Sequence, residues 1–383
     1  MISQKRPESL KARLANPRVL VTEGLAAMRA RASFGLVVVL VDLALYNAVQ
    51  LVYFFRAGHY PDFRLFWNAA RLILAHGPGA VFAVQAGAPY PTMIDPPLIA
   101  WLVMPLAILP FPVAFGIWIA ASALAIAWAA RLCGAGWRGV LSGFALFPVF
   151  DALGSGQVAP LLLLAVVWAV RLADGGRWAA AGLLLALLSV KPQMGVLLPI
   201  VLLASGRWRI VVAAAGAGAV VGALTLASLG VSGMHAWLVA LSSSGSDPYF
   251  QRWSFIPLVG TTGWYPAVVL VALLVGIGAR RWRHDLLLVI GLGLTGSLLI
   301  NHYLTPQDFV MLLLPVWALV RLGPRAAFLG GVLWVGAWLC LWVPPATVAA
   351  EALVVVALAL PLERLHVLPA PSPRVETGGI PAR

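Results

Sequence analysis

From Phe34 to Leu362 the chain is a succession of apolar runs of about 15 to 20 residues, and that pattern fixes the solvent the fold must suit. In a bilayer only helices and closed barrels satisfy every backbone N–H and C=O. Barrel strands alternate apolar and polar side chains over about ten residues, whereas these runs are apolar throughout. The expected fold is therefore an all-α polytopic membrane protein. Composition agrees. The chain is 62% hydrophobic and 10% charged, where a soluble domain carries about a quarter charged residues.

The formal net charge of +13 raises nucleic acid as a partner, and the placement of the charges excludes it. The basic residues stand in short clusters between apolar runs, as expected of loops on the cytoplasmic side, where they also favour anionic membrane lipids. These clusters are the N-terminal arm, Arg131/Arg138, Arg171/Arg177, Arg207/Arg209, Arg280–Arg283, Arg321/Arg325 and Arg364. Placing all of them inside gives roughly twelve spans with both termini cytoplasmic. The spans fall near 34–55, 112–130, 139–153, 158–171, 179–191, 193–205, 210–230, 260–279, 286–300, 309–321, 326–343 and 345–362. Residues 1–33 form a basic cytoplasmic arm, 34–362 the membrane domain, and 363–383 a Pro-, Gly- and Ser-rich tail expected to be disordered. The proline-broken stretch 96–110 reads as a half-helix, a juxtamembrane helix or a thirteenth span. The two cysteines, Cys133 and Cys340, give no disulfide or metal framework.

This topology gathers the polar groups on the outer side. They lie in a first outer loop at 56–95, in "DALGSGQ" (Asp151–Gln157), "KPQ" (Lys191–Gln193) and "NHYLTPQD" (Asn301–Asp308), and in a second outer loop at 231–258. Asp62 opens an apolar-periodic stretch in which Phe63, Phe66, Trp67, Ala70 and Leu74 recur at helical spacing, so a short amphipathic interfacial helix is expected. Its carboxylate is either the helix N-cap or a general base for a sugar hydroxyl. Lys191 interrupts an apolar hairpin; its ammonium either snorkels to the interface or stabilises a leaving phosphate. His302 is either a hydrogen-bonded structural residue or a contact to phosphate or acceptor. Arg64 meets lipid headgroups or substrate. Gln157, with Gly154 and Gly156 before it, reads as a tight turn able to contact sugar or phosphate. Asp95 is a turn residue or a second carboxylate for a metal or sugar hydroxyls. Trp237, Tyr249, Arg252 and Trp253 are the mix used to stack on a sugar, and also the mix of an interfacial aromatic belt. Asp42, inside the first span, is an intramembrane acid expected to bond to a polar group on a neighbouring helix.

Five segments in order carry a resemblance. "PDFRLFWNAARLIL" is followed by "PYPTMIDPPLIAWLVMPLAILP", "GQVAPLLLLAVVWAV", "RWAAAGLLLALLSVKPQMGVLLPIVLL" and "NHYLTPQDFVMLLLP". Together they resemble glycosyltransferase family 87 of the GT-C superfamily over roughly residues 34 to 320. The pattern departs from the family at Asp95, where a tyrosine is common, and in the Asn301 context. The resemblance implies a GT-C-type membrane fold and an inverting transfer of a sugar, mannose above all, from a polyprenyl-phosphate donor. The acceptor would be the hydroxyl of a glycolipid or polysaccharide on the outer face of a bacterial inner membrane. It makes Asp62 the base; Lys191, His302, Arg64, Gln157 and Asp95 are the donor-phosphate or substrate contacts that the residues themselves suggest. No cofactor is implied outright, and a divalent cation stays open because some GT-C enzymes need one. The alternative is a transporter or flippase for a lipid-linked or small polar solute, which requires acids and bases buried across several helices.

Overall fold

The computed structural model describes residues 35–53, 62–78, 81, 95–245 and 247–360. The arm 1–33, the tail 363–383 and most of the 56–95 loop away from its short helix lie outside the described residues. Every described element is helical.

Among the described residues, five helices are long and apolar enough to cross a membrane: Gly35–Tyr53, Phe111–Leu132, Trp208–Val239, Ile256–Arg281 and Pro324–Leu341. Six result if Phe147–Ser155 and Ala159–Asp174, bent by 116° at their junction, count as one. The other apolar runs are divided into helices of 10–17 residues. Prolines and 3-10 turns cause much of the division. Lys191-Pro192 breaks one hairpin arm from the next, Pro306 opens a 3-10 segment, and Pro344 starts a new helix. The protein is thus a multi-pass helical bundle, and the sequence count of twelve becomes a mixture of full-length and short helices.

The stretch 96–110 resolves into the helix Leu98–Ala107 with Pro105 inside it. At 1.5 Å per residue it is about 15 Å long, half of the ~30 Å hydrocarbon core, so it is not a full span. It packs against the short helix Asp62–His76. That helix turns Phe63, Phe66, Ala69, Ala70 and Ile73 inward. Phe63 and Phe66 are essentially inaccessible, while Leu74 is half exposed. Its apolar face is therefore buried in protein rather than laid on lipid.

Residues 231–245, expected as loop, continue as helix beyond a kink at Gly230, whose φ of +66° no side-chain-bearing residue adopts readily. At the centre lies Leu286–Ile300, buried along its whole length, as expected of a helix that is apolar all round. Glycines let its neighbours come close. A Cβ on Gly293 would stand 2.7 Å from Val201, and one on Gly296 would stand 2.6 Å from Val275. Asp42 is exposed on the first helix; the tie to a neighbour is made instead by Asn47, whose amide donates to the Phe144 carbonyl at 3.1 Å. Among the described residues, Glu351 and Asp308 are the acids that are fully buried.

Candidate active site

The site forms at one end of the bundle, where four chain segments are fixed by local sequence. The first is the start of Asp62–His76. Phe63 anchors it through rings of the spanning helix Phe111–Leu132, with centroids 6.2 Å from Phe111, 5.6 Å from Phe115 and 5.1 Å from Trp118. Asp62 is thereby held at the edge of a packed aromatic cluster.

The second segment is the bend after Ser155. Gly156 takes a left-handed conformation (φ +70°) and ends the helix Phe147–Ser155. A Cβ there would stand 2.5 Å from Phe63 Cβ and 2.8 Å from the Phe115 ring. Only glycine admits this approach, and the approach delivers Gln157 to Asp62. Gln157 Nε2 donates to Asp62 Oδ2 at 2.6 Å. The buried Gln157 Oε1 has no donor among the described residues.

The third and fourth segments meet in a buried ion pair. Lys191 stands at the break between two 3-10 turns, Ala186–Val190 and Pro192–Met194. Its Nζ donates to Asp308 Oδ1 at 2.7 Å, and both side chains are essentially inaccessible. Asp308 Oδ2 accepts from the Thr305 backbone N–H at 2.9 Å and from Thr305 Oγ1 at 3.0 Å, which caps the 3-10 segment Pro306–Leu312. Gln307 Nε2 stands 3.5 Å from Asp62 Oδ2, so the same segment touches both acids.

The carboxyls share one electrostatic environment. Asp62 is shifted above its ordinary range by burial; the Gln157 bond and the Lys191 charge oppose the shift, and Asp308 adds to it. Asp95 is pushed up to about 6 by burial, with Lys191 pulling it down and Asp62 and Asp308 pushing it up. Burial would discharge Lys191, but Asp308 and Asp95 outweigh it and hold the ammonium charged. Asp62, Asp95, Lys191 and Asp308 therefore form one cluster. Asp151, one turn before the bend, lies within electrostatic range of it.

The other sequence candidates fall around this cluster or away from it. His302 is edge-on to Trp264 with ring centroids 5.6 Å apart. Burial lowers its pKa, so it is neutral at pH 7. Arg64 lies over the Phe111 ring at 4.4 Å. The turn Pro248–Gln251 is joined to the His302 loop, because Leu304 N donates to the Phe250 carbonyl at 3.2 Å and the Phe250 and Tyr303 rings lie 4.4 Å apart. There the Arg252 guanidinium lies 4.2 Å from the centre of the half-exposed Tyr249 ring and 4.0 Å from that of Trp253. Trp253 is fully buried and donates its indole N–H to the Cys340 carbonyl at 2.7 Å, so in this geometry it offers no face to a sugar. Trp237 is partly buried against the core on the second half of the helix Trp208–Gly245.

Sequence reasoning left Gln307 and Asp308 as neighbours in a polar cluster, and Thr305 unremarked. The signal was present: Thr305-Pro306-Gln307-Asp308 is a capping box with proline at the first helical position. Among the described residues no group of three or more His, Cys, Asp or Glu side chains is placed to hold a metal ion.

The arrangement can do acid–base work. Both glutamines address Asp62 Oδ2, and no described residue donates to Oδ1, which is left to accept a proton. Beside it, Lys191 spends one of its three N–H donors on Asp308. Searches of curated proteins and of solved structures each found no match. Residues 94–301 match the profile of glycosyltransferase family 87, a span that begins after Asp62 and ends one residue before His302. The match covers more than half of the chain, and the protein belongs to glycosyltransferase family 87.

Proposed function

We propose that this membrane glycosyltransferase moves a sugar, mannose in our reading, from a polyprenyl-phosphate donor to an acceptor hydroxyl, with inversion at the anomeric carbon. The reaction takes place at the face of the membrane where Asp62 stands. That face is the outer side of a bacterial inner membrane in the topology that the basic loops favour.

The observation that carries this reading is the placement of Asp62. Its carboxylate is gripped through Oδ2 by Gln157 at 2.6 Å, and the only ammonium of the cluster is close enough to stabilise its charge. Asp62 Oδ1 takes the proton of the acceptor hydroxyl while the hydroxyl oxygen attacks the anomeric carbon. The bond from that carbon to the phosphate oxygen breaks, and the electron pair leaves with the polyprenyl phosphate. Lys191, with N–H donors beyond the one bonded to Asp308, offsets the charge developing on that oxygen. His302, neutral and exposed beside Trp264, serves as a hydrogen-bonding partner for substrate rather than a fixed cation. A lipid-linked donor carries its phosphate at headgroup depth, which suits a base at the end of the bundle. Membership of a glycosyltransferase family favours this enzyme over a transporter or flippase.

The test is transfer of label from radiolabelled polyprenyl-phosphate-mannose in membranes that contain candidate glycolipid and polysaccharide acceptors. Wild type is expected to transfer, and Asp62→Asn at equal protein level to lose about 10²- to 10⁴-fold, as for removal of a general base. Equal transfer by both would remove Asp62 from the chemistry. Transfer from other lipid-phosphate sugars but not from the mannose donor would replace the sugar and keep the mechanism.

A further inference from the structure

Four helices that reach the site or its neighbours at one end of the bundle border a second cavity at the other. Phe111–Leu132 presents Phe111 and Phe115 to Phe63 at its start and ends in Arg131–Gly134. Ala159–Asp174 starts two residues after Gln157 and ends in Arg171 and Asp174. Leu286–Ile300 runs from Asp285 to the His302 loop, and Pro306–Val320 from Asp308 to Arg321. Helices of this length separate the two ends by about 24 Å. Together the far ends enclose a cavity of about 620 Å³, within the range of small-molecule sites.

We propose that this cavity binds a phosphate-bearing anion. Its basic lining is Arg131, Arg171 and Arg321, together with His284. Arg321 is tied to Asp285, whose Oδ1 also accepts the Leu288 N–H at 3.0 Å, so that acid is already neutralised in place. Arg131 and Arg171 are exposed, and neither forms an ion pair among the described residues. The remaining acid of the lining, Asp174, lies within electrostatic range of Arg207 as well as Arg171. The described loops at this end hold further arginines, including Arg177 and Arg283, and no acid besides Asp174 and Asp285. The local potential is therefore positive, and two guanidinium forks remain for a ligand. A planar fork binds phosphate through paired N–H donors, which favours phosphate over a simple halide. Leu132, Val170, Leu286 and Leu287 supply an apolar wall. The same chemistry suits a phospholipid headgroup or a soluble phosphate compound. Orientation of the protein in the membrane explains basic loops on one face; it does not require a cavity, nor two unpaired arginines lining it.

The experiment uses the full chain purified in a non-ionic detergent, with binding read by native mass spectrometry. The two probes are dioctanoyl phosphatidic acid and inorganic pyrophosphate. The cavity variant is Arg131→Gln with Arg171→Gln. The control, Arg138→Gln with Arg209→Gln, removes the same charge from exposed arginines that do not line the cavity. Wild type and control are expected to bind alike, and the cavity variant at least about tenfold more weakly. Retention of phosphatidic acid alone assigns a headgroup, retention of pyrophosphate alone a soluble phosphate compound, and retention of both the shared phosphate chemistry. If the double variant does not fold, each single variant is expected to weaken binding about tenfold. No binding of either probe, undiminished binding in the cavity variants, or an equal loss in the control would overturn the proposal.

Discussion

Gln157 and Asp62 are 95 residues apart in the chain and 2.6 Å apart in space, the amide N–H donating to the carboxylate. Burial shifts Asp62 above its ordinary range, and the Gln157 bond works against that shift because it favours the charged form. Gln157→Leu removes the opposition, so the pKa of Asp62 rises further. A base must be ionised to act, so the acid limb of the rate–pH profile is expected to move to higher pH, with activity partly recovered on the alkaline side. The check is kcat/KM for wild type and variant across pH 5 to 9. A uniform loss with an unmoved limb would mean that Gln157 contacts substrate instead of tuning the base.

Gly156 sets that bond. Alanine there meets two obstacles, a left-handed φ of +70° and a Cβ position 2.5 Å from Phe63 Cβ. The conformation costs about 1–2 kcal/mol for a residue with a Cβ, and overpacking about 1–3 kcal/mol more. Phe63 is the residue after Asp62, so relief of the clash displaces the Asp62 carboxylate, the proposed base. Gly156→Ala is expected to lower the thermal midpoint in detergent and to reduce transfer out of proportion to the folded protein that remains. Wild-type transfer at a lowered midpoint would separate the turn from the site.

Lys191 and Asp308 form a pair in which each is the other's chief compensation for burial, at 2.7 Å. Removing one partner strands a buried charge and is expected to cost about 3–5 kcal/mol. Lys191→Met and Asp308→Leu should therefore each destabilise strongly. The double variant should regain most of the stability, because an apolar pair of similar volume is often neutral or better. Thermal midpoints of the four proteins test this. Transfer then divides the roles. A double variant that is stable yet inactive places the lysine charge in the chemistry, and one that is stable and active leaves the pair purely structural.

The helical class, the basic loops and the polar segments of one end were legible because lipid permits few solutions and arginine marks the loops. Asp62, Asp95, Gln157, Lys191 and Asp308 were each visible as polar interruptions in apolar sequence. Their pairing was not. Nothing in local sequence says that Lys191 finds Asp308, 117 residues on, because that contact depends on how the bend at Gly156 and the break at Pro192 direct two hairpins. The helix lengths do not confirm the count of twelve spans, and the reading of 96–110 stayed open for a related reason. Hydropathy cannot distinguish a helix that crosses from one that stops halfway against protein, as Leu98–Ala107 does beside Asp62–His76. Trp253 looked like a sugar platform by residue type, and only its burial and its bond to the Cys340 carbonyl assign it to the core.

Asp95 offers a test of the cluster that needs no substrate. Its carboxyl is pushed from an ordinary 3.8 to about 6, chiefly by burial. The folded protein thus binds this proton more tightly than the unfolded chain does, and the sign follows from linkage. The contribution of Asp95 to stability is most favourable below pH 4, declines as pH rises from about 4 to 6, and is a constant penalty above. For a shift of this size the penalty is at most about 3 kcal/mol. Asp95→Asn cannot ionise and escapes it, although Lys191 loses one of the charges that hold its proton. The variant is therefore expected to melt higher than wild type at pH 7.5, and the gap to close as pH falls to 4. Thermal midpoints of the two proteins at several pH values give the difference directly, and other titrating groups cancel to first order. A gap that is independent of pH would mean that Asp95 ionises normally and stands outside the buried cluster, whereas a reversed gap would mean that its charge is needed to hold Lys191 in place.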